Sequence, residues 1–305
     1  FFPLMSPSIF YIAKKRKVPI IYYLHNYRII CGSSFLSFDN ECCEKCKGNF
    51  FLSIFNRCYK RSYLGSFFLS VQNLIHSKIL NTWDKKVDYF IIMNQRNIHY
   101  YTKFGIKRNK ILYLPHFSFM KKSPPGSKEG FALFVGRLSK EKGILTLLKA
   151  WENINYPLKI IGELNSSDKE LIERLNRENK FIEKIGHINH SELQLYYQNA
   201  EFTIFPSEWA EPFGLVIIES FANSTPVLSS NHNSLKEMIQ DNYNGVFFEQ
   251  SNYVDLKDKV LYLLNNQEMM KKMQLNSFDT FNNKFSPEMN IKLINKTYKF
   301  ILNND

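Results

Sequence analysis

Residues 131–249 alternate strictly between short apolar runs and segments with helical spacing, and this pattern restricts the chain to few folds. Strands are predicted at Ala132–Val135, Leu158–Ile161, Phe181–Ile185, Phe202–Phe205, Pro226–Ser229 and Val246–Phe248. The helices predicted between and after them are Gly143–Asn153, Asp168–Asn179, Ser191–Asn199, Leu215–Asn223 and Leu235–Asp241. Strand and helix in alternation are typical of a parallel sheet covered by helices on both faces, as in Rossmann-like domains.

The front of the chain has a second, less regular α/β pattern. Its predicted helices are Ser8–Lys17, Tyr59–Lys86 and Asn94–Phe104, and its predicted strands are Val18–Leu24, Asp88–Met93 and Lys110–Leu114. The stretch KKSPPGSKEG, residues 121–130, has the composition of a linker. Helices are also predicted over residues 252–282, with a break, and over Pro287–Leu302. A length of 305 residues therefore divides into two domains, 1–122 and 128–286.

Positive charge is concentrated in the front domain. The whole chain carries a net charge of +12, but residues 1–122 have a balance of +15 and the remainder one of −3. A basic half attracts nucleic acid, anionic lipid or an anionic substrate, although a merely solvated basic surface remains open. No apolar run reaches the ~18–20 residues of a membrane span.

All five cysteines lie in residues 31–58. Cys43 and Cys46 form a C-x-x-C pair, and Cys31 and Cys58 stand eleven residues to either side of it. Four thiolates from one knuckle and two outlying positions suit a structural zinc site. Free thiols and disulfides remain as alternatives, and no secretion signal supports disulfides.

The segment PSEWAEPFGLVIIE, residues 206–219, has the features of a ligand site. It leaves a buried strand, crosses a short polar loop and enters a helix, so it lies at the carboxyl end of a strand, where ligands bind in such sheets. Glu211 and Glu219 bracket the turn. The free N–H groups of Phe213, Gly214 and Leu215 suit an anion. Carboxylates can bind hydroxyls, and backbone N–H groups can bind phosphate. Together they suit a phosphorylated, polyhydroxylated ligand.

The turn GRLSKEKG, residues 136–143, supplies cations. Arg137 and Lys142 flank it, and two cations at this place suit a diphosphate. The turn has neither the P-loop pattern nor the dinucleotide fingerprint, so a solvated basic turn is the alternative for the turn alone. His25 and His187 also follow predicted strands. Motifs of zinc peptidases, serine hydrolases and D-x-D metal sites are absent from the sequence.

The stretches FVGRLSKEKG, KIGHI, PSEWAEPFGLVIIESFANSTPVLSS and NGVFFE, in this order, resemble the carboxyl half of the retaining glycosyltransferases of family 4. LHNYRIIC, ECCEKC and RCYKRS resemble a bacterial branch with a Cys-rich insertion. The resemblance implies two Rossmann-like domains facing a cleft (the GT-B fold), with the closing helix 287–305 joined to the first domain. The family's first domain starts ahead of residue 1, by roughly 80 residues, so we expect an incomplete N-terminus.

The resemblance also implies roles for individual residues. Arg137 and Lys142, beside Gly136, would hold the donor diphosphate, and Glu211 the sugar hydroxyls with the N–H groups of residues 213–215 nearby. Glu219 would hold the ribose. The turn Ile185, Gly186 and His187 would contact the base, and His25 would face the donor sugar from the first domain.

The function implied is retaining transfer of a hexose-type sugar in cell-envelope polysaccharide biosynthesis. The donor would be a UDP- or GDP-sugar and the acceptor a glycan or lipid-linked molecule. No catalytic metal and no nucleic acid are expected, and the protein is expected in the cytoplasm, peripheral at the inner face of an anionic membrane. The alternatives are an inactive GT-B scaffold and a basic zinc-knuckle protein that binds nucleic acid.

Overall fold

The computed structural model describes residues 6–38, 41–47, 49–164 and 169–303. The chain divides into two compact units. Unit 1 comprises Phe1–Pro115 with Lys292–Asp305, and unit 2 comprises His116–Ile291. No helix in the described ranges combines the length and the apolar character that crossing a membrane requires.

Unit 1 contains a parallel three-stranded sheet in the order β1-β4-β5. In chain order its elements are α1 Ser8–Lys15, β1 Ile21–Tyr23, β2 Ser37–Phe38, β3 Glu41–Cys42, α2 Leu52–Phe55, α3 Tyr63–Leu74, α4 Thr82–Lys86, β4 Tyr89–Ile92, α5 Ile98–Lys103 and β5 Ile111–Tyr113. The central strand β4 is almost fully buried, as expected for a parallel strand with covered faces. The short pair β2 and β3 is antiparallel.

The single long helix predicted over Tyr59–Lys86 is wrong. Helix α3 ends at Leu74, a π-helical turn follows over Ile75–Ile79, and α4 starts after Asn81. Asn81 has φ 47°, in the left-handed region that interrupts an α-helix and that Asn tolerates better than most residues. The break allows Trp83 to stack on Tyr22 at 6.0 Å between ring centroids.

Unit 2 is a doubly wound α/β domain whose six parallel strands follow the order β11-β10-β9-β6-β7-β8. Its elements are β6 Ala132–Val135, α6 Ile144–Trp151, β7 Leu158–Ile161, α7 Lys169–Asn176, β8 Ile182–Gly186, α8 His190–Asn199, β9 Phe202–Phe205, α9 Leu215–Ala222, β10 Val227–Ser230, β11 Gly245–Phe248, α10 Tyr253–Leu264 and α11 Gln267–Thr280. The final helix, α12 Pro287–Asn303, begins in unit 2 and ends in unit 1.

The two faces of the unit 2 sheet bury separate cores. Ala132 and Phe134 of β6 face a core that includes Trp151, while Leu133 faces the core formed with α9. This alternation follows from the two-residue period of a strand. The helix predicted over Leu235–Asp241 is wrong: the chain forms only a 3₁₀ turn, Asn233–Glu237, before the bend that leads into β11.

Lys128 is a half-buried cation whose titration should make the free energy of unfolding depend on pH. Its ammonium donates to the carbonyl oxygens of Gln198 and Asn223 and to Thr225 Oγ1, at 2.8, 3.2 and 2.9 Å. Burial lowers its pKa from 10.5 to about 8, against the opposing charge of Glu201. Between these values the unfolded chain binds more protons than the folded one, so stability contributed by this group rises with pH.

We therefore expect the free energy of unfolding of the unaltered chain, minus that of Lys128→Met, to rise by about 1 kcal/mol per pH unit between pH 8 and 10. Urea unfolding of both chains at a series of pH values measures this difference. The contributions of the other titrating groups cancel because both chains contain them. A difference that stays constant over this range would contradict the expected titration.

Candidate active site

The turn between β6 and α6 is shaped by two glycines in conformations that other residues rarely adopt. Gly136 has φ 150° and Gly143 has φ 70°. Between them the side chain of Leu138 is buried, and its N–H donates to the carbonyl oxygen of Glu163, at 2.8 Å. The turn is thereby tied to the adjacent strand end, and Lys142 stands directly before Gly143, the N-cap of the helix that starts at Ile144.

This turn lies directly against the loop that follows β9. A Cβ at Gly143 would lie 1.8 Å from the carbonyl oxygen of Pro206, so only glycine permits the approach. The N–H of Glu208 donates to the carbonyl oxygen of Glu141, at 2.9 Å. Strands β6 and β9 are neighbours at the point where the strand order reverses, and this position brings the two loops together.

Lys142 and Glu211 form the centre of the site. Lys142 Nζ lies 2.6 Å from Glu211 Oε1, although 69 residues separate them. The same oxygen accepts hydrogen bonds from Ser207 Oγ at 2.7 Å and from Trp209 Nε1 at 2.8 Å. The Glu211 side chain is 3% exposed and that of Lys142 20%. The carboxylate is thus held in one orientation by three donors.

Aromatic rings enclose the ammonium of Lys142. It lies 5.5 Å from the ring centroid of Trp209 and 5.7 Å from that of Phe205. Cation–π attraction at such distances helps to hold the ammonium in place. A cation in this low-dielectric setting acts on an incoming anion more strongly than it would in water.

Arg137 occupies the outer side of the same turn. Its guanidinium lies 3.3 Å from the carboxylate of Glu141, and half of its side chain is exposed. The structure therefore places Lys142 against Glu211, whereas Arg137 pairs with a neighbour on its own turn.

Glu219 is a second acid, half-buried and one turn into α9. Tyr197 donates to its Oε2 at 3.1 Å, and His190 Nε2 lies 3.6 Å from its Oε1. Burial raises the pKa of this carboxyl, while Tyr197 and His190 lower it. Tyr197 and His190 thus offset only part of the effect of burial on the pKa. A hydroxyl-bearing ligand could supply further hydrogen bonds to this carboxylate.

The start of α9 is formed by Phe213, Gly214 and Leu215. Within the described part of the chain no side chain caps this helix. Leu215 is 47% exposed, and Phe213 packs edge to face on His116 at 5.3 Å between centroids. Such a helix start can receive an anion on its backbone N–H groups.

The predicted base-contact turn lies at the end of β8. Gly186 has φ 84°, and its carbonyl oxygen accepts from the N–H of Gly162 at 2.9 Å. Ile185 is partly buried, whereas His187 is 73% exposed and lies 4.0 Å from Glu163. These residues lie at the end of β8, which β6 and β7 separate from β9, the strand whose loop carries Glu211.

His25 belongs to unit 1, where it follows β1. It is exposed, and its ring stacks on Tyr23 at 5.8 Å between centroids. Partial desolvation lowers the pKa of its imidazole, which favours the neutral form at pH 7.

The predicted zinc site is not found. Cys31, Cys43, Cys46 and Cys58 are free thiols. Among the residues that the structure describes, no group of three or more His, Cys, Asp or Glu side chains could hold a metal ion. Burial raises the pKa of Cys46 to about 12 and that of Cys58 to about 11, and the neighbouring cysteines raise them further. Cys31, Cys43 and Cys58 all act on Cys46, so the four thiols lie near one another.

Several residues of the site were not anticipated individually. Ser207 and Trp209 orient Glu211, and Thr146 donates to the buried Glu208 at 2.6 Å. Burial lowers the pKa of His232, whereas the charge of Glu211 raises it. His232 follows β10, so its place after a predicted strand was the signal that could have identified it.

Comparison with known proteins identifies the family. Residues 116–279 match the family described as "Glycosyl transferases group 1". The chain belongs to this family. The matched region contains the whole set of candidate residues from unit 2, including Lys142, Glu211 and Glu219.

Two relatives of this chain illustrate the match. An uncharacterized glycosyltransferase of Methanocaldococcus jannaschii is 34% identical over 171 residues, which cover 55% of this chain and 48% of that protein. The O-antigen chain mannosyltransferase B of Escherichia coli is 33% identical over 122 residues, 37% of this chain and 32% of that protein. The matches thus span half or less of these relatives' length.

The fold is α/β of the GT-B class, as structural comparison shows. The Anabaena protein HepE (Alr3699), solved in complex with UDP, has a TM-score of 0.72 at 13% sequence identity. The similarity covers 96% of this chain and 75% of that one. Sucrose-phosphate synthase from Thermosynechococcus elongatus has a TM-score of 0.71 at 18% identity, over 98% of this chain and 73% of that one.

Proposed function

We propose that this glycosyltransferase is a retaining enzyme of family 4 that transfers a hexose-type sugar from a UDP- or GDP-sugar to a glycan or lipid-linked acceptor in cell-envelope polysaccharide biosynthesis. The observation that carries the proposal is the ion pair of the half-buried Lys142 with the buried Glu211, within the matched family region. The O-antigen mannosyltransferase among the relatives and the UDP complex of HepE support the acceptor and donor classes.

In this proposal unit 2 binds the donor and unit 1 the acceptor. Lys142 and Arg137 bind the diphosphate, together with the backbone at Gly136 and at residues 213–215. Glu211 binds hydroxyls of the transferred sugar. Lys142 neutralises Glu211 before the donor arrives, and the incoming diphosphate takes over part of this cation's charge. Glu219 binds the ribose, and residues 185–187 contact the base.

The proposed reaction needs no nucleophile from the protein. The bond between the anomeric carbon and the phosphate oxygen breaks while the acceptor oxygen bonds to the same face of that carbon. The acceptor proton passes to the departing phosphate oxygen. Lys142 and Arg137 stabilise the charge that develops on the diphosphate, and stabilisation of this kind is commonly the largest contribution to rate. His25 faces the donor sugar as a neutral imidazole.

The proposal also places the enzyme in the cytoplasm, bound peripherally to the inner face of the membrane. The concentration of positive charge in residues 1–122 supports this location.

Donor binding tests the proposal directly. We expect a UDP- or GDP-sugar, but not an ADP-sugar, to raise the melting temperature of the chain by a few degrees at about 100 times its dissociation constant. Glu219→Gln should weaken this binding roughly tenfold or more because charged hydrogen bonds to the ribose are lost.

Glu192→Gln, on the exposed surface of α8, is the matched control and should bind like the unaltered chain. If no nucleotide sugar raises the melting temperature, the proposed activity fails for this chain. If Glu219→Gln binds as tightly as the control, only the ribose assignment fails.

A further inference from the structure

Helix α3 has its polar side inward and its apolar side outward. Its buried residues are Ser66, Leu69, Ser70 and Asn73. Its exposed large side chains are Leu64, Phe67 and Phe68, at 67%, 44% and 63% exposure. Positions 64, 67 and 68 share one helix face. The outward face of α3 is therefore apolar, the reverse of what a solvated helix requires.

The short helix α2 is held to α3 through serines. Ser53 Oγ lies 2.5 Å from Ser70 Oγ, which donates to the carbonyl oxygen of Phe50, at 2.9 Å. With its serine turned inward, α2 exposes Phe55 to 76% and Leu52 to 37%. We call Leu52, Phe55, Leu64, Phe67 and Phe68 the aromatic surface of unit 1.

Cations accompany this surface, and acids are absent from the surrounding sequence. Arg57, Lys60 and Arg61 are exposed in the turn between α2 and α3. Arg57 lies 4.3 Å above the ring of Tyr63. From residue 45 to residue 83 the sequence contains six Lys or Arg and no Asp or Glu. The partner of this surface must therefore offer both apolar material and negative charge.

We propose that the aromatic surface docks unit 1 onto an anionic lipid bilayer. Leu64, Phe67 and Phe68 enter the boundary between headgroups and acyl chains, with α3 parallel to the membrane plane. Lys60 and Arg61 bind headgroup phosphates. A bilayer offers both required components over an extended area, whereas an acidic protein segment would leave the exposed phenyl rings uncovered. The inference specifies the peripheral docking proposed above, but it does not depend on sugar transfer.

Vesicle co-sedimentation of the full chain tests the docking. We expect binding to vesicles of equal parts phosphatidylglycerol and phosphatidylcholine, and weaker binding to phosphatidylcholine alone or at high salt. F67S/F68S should reduce the partition coefficient roughly tenfold or more because buried apolar area is lost. K60Q/R61Q should also reduce it on the order of tenfold or more, since each cation contributes about fivefold.

Matched controls lie on unit 2. L195S/L275S changes two exposed leucines of α8 and α11, and K271Q/K272Q removes two exposed cations of α11. Both should bind vesicles like the unaltered chain. All variants should still bind the nucleotide sugar. Donor binding therefore tests the proposed activity independently of membrane docking.

Three outcomes would overturn the docking proposal. One is equal binding to neutral and anionic vesicles. Another is unchanged binding by F67S/F68S. The third is that F67S/F68S abolishes self-association in sedimentation velocity and leaves vesicle binding intact, in which case a second copy of the chain covers the surface.

Discussion

Replacement of Lys142 by Met should lower the rate of nucleoside diphosphate release from the donor on the order of 10²–10³-fold. Lys142 is the cation that the fold holds against Glu211, at 2.6 Å and largely out of solvent. In the proposed reaction it opposes the charge that develops on the diphosphate. Its removal therefore affects the transition state more than the bound donor, and kcat should fall more than KM rises. Steady-state release of the diphosphate measures both.

The controls separate catalysis from folding. Lys257→Met removes a surface cation of α10 and should retain full activity. Lys142→Met leaves the buried Glu211 without its counter-charge and should also destabilise the chain. The double variant K142M/E211Q removes both charges, so we expect recovered stability without recovered activity. Turnover in K142M close to that of K257M would show that the diphosphate is stabilised elsewhere.

The fold of unit 2 could be predicted because its strands are buried on both faces. The strands Ala132–Val135, Leu158–Ile161 and Phe202–Phe205 agree with the predicted bounds. Parallel strands under helices are continuous apolar runs, so both of their ends are visible in the sequence. The segment predicted as helix Leu235–Asp241 forms only the short 3₁₀ turn Asn233–Glu237, because its three apolar residues over two turns do not distinguish the two structures.

Unit 1 was predicted less well because its constraints are tertiary. The break at Asn81 lies in a helical pattern, and what stabilises it is the packing of Trp83 on Tyr22, about 60 residues earlier in the chain. The spacing of the cysteines resembles a zinc knuckle, but spacing does not report burial or the direction of each thiol. Among the described residues, no three or more Cys, His, Asp or Glu side chains are arranged so that they could hold a metal ion.

The candidate site was predictable in its charged residues and not in their contacts. Glu211 and Lys142 stand out as polar residues at the ends of apolar runs. Their pairing depends on β6 and β9 being neighbours, which the order of elements alone does not determine. The role of Trp209 as a hydrogen-bond donor to Glu211 depends on the loop conformation, and no periodicity predicts that conformation.

Gly143→Ala should destabilise the chain by roughly 3–5 kcal/mol. The added Cβ would lie 1.8 Å from the carbonyl oxygen of Pro206, and φ is 70°. The backbone must move because the Cβ is fixed rigidly to the main chain and the atom that it meets is a backbone carbonyl oxygen. For a unit of this size the melting temperature should fall by roughly 10 °C, which differential scanning calorimetry measures.

Gly130→Ala supplies the matched control, since its φ of 72° is nearly the same and an added Cβ would meet nothing within 4 Å. Gly130→Ala should destabilise the chain only by the strain of a non-glycine residue in the left-handed conformation, about 1–2 kcal/mol. The excess in Gly143→Ala then measures how strongly the basic turn is pressed against the loop of Glu211. Equal losses in the two variants would mean that the loops yield freely, and Lys142 and Glu211 would then lack the rigid support that charge stabilisation in a preorganised site requires.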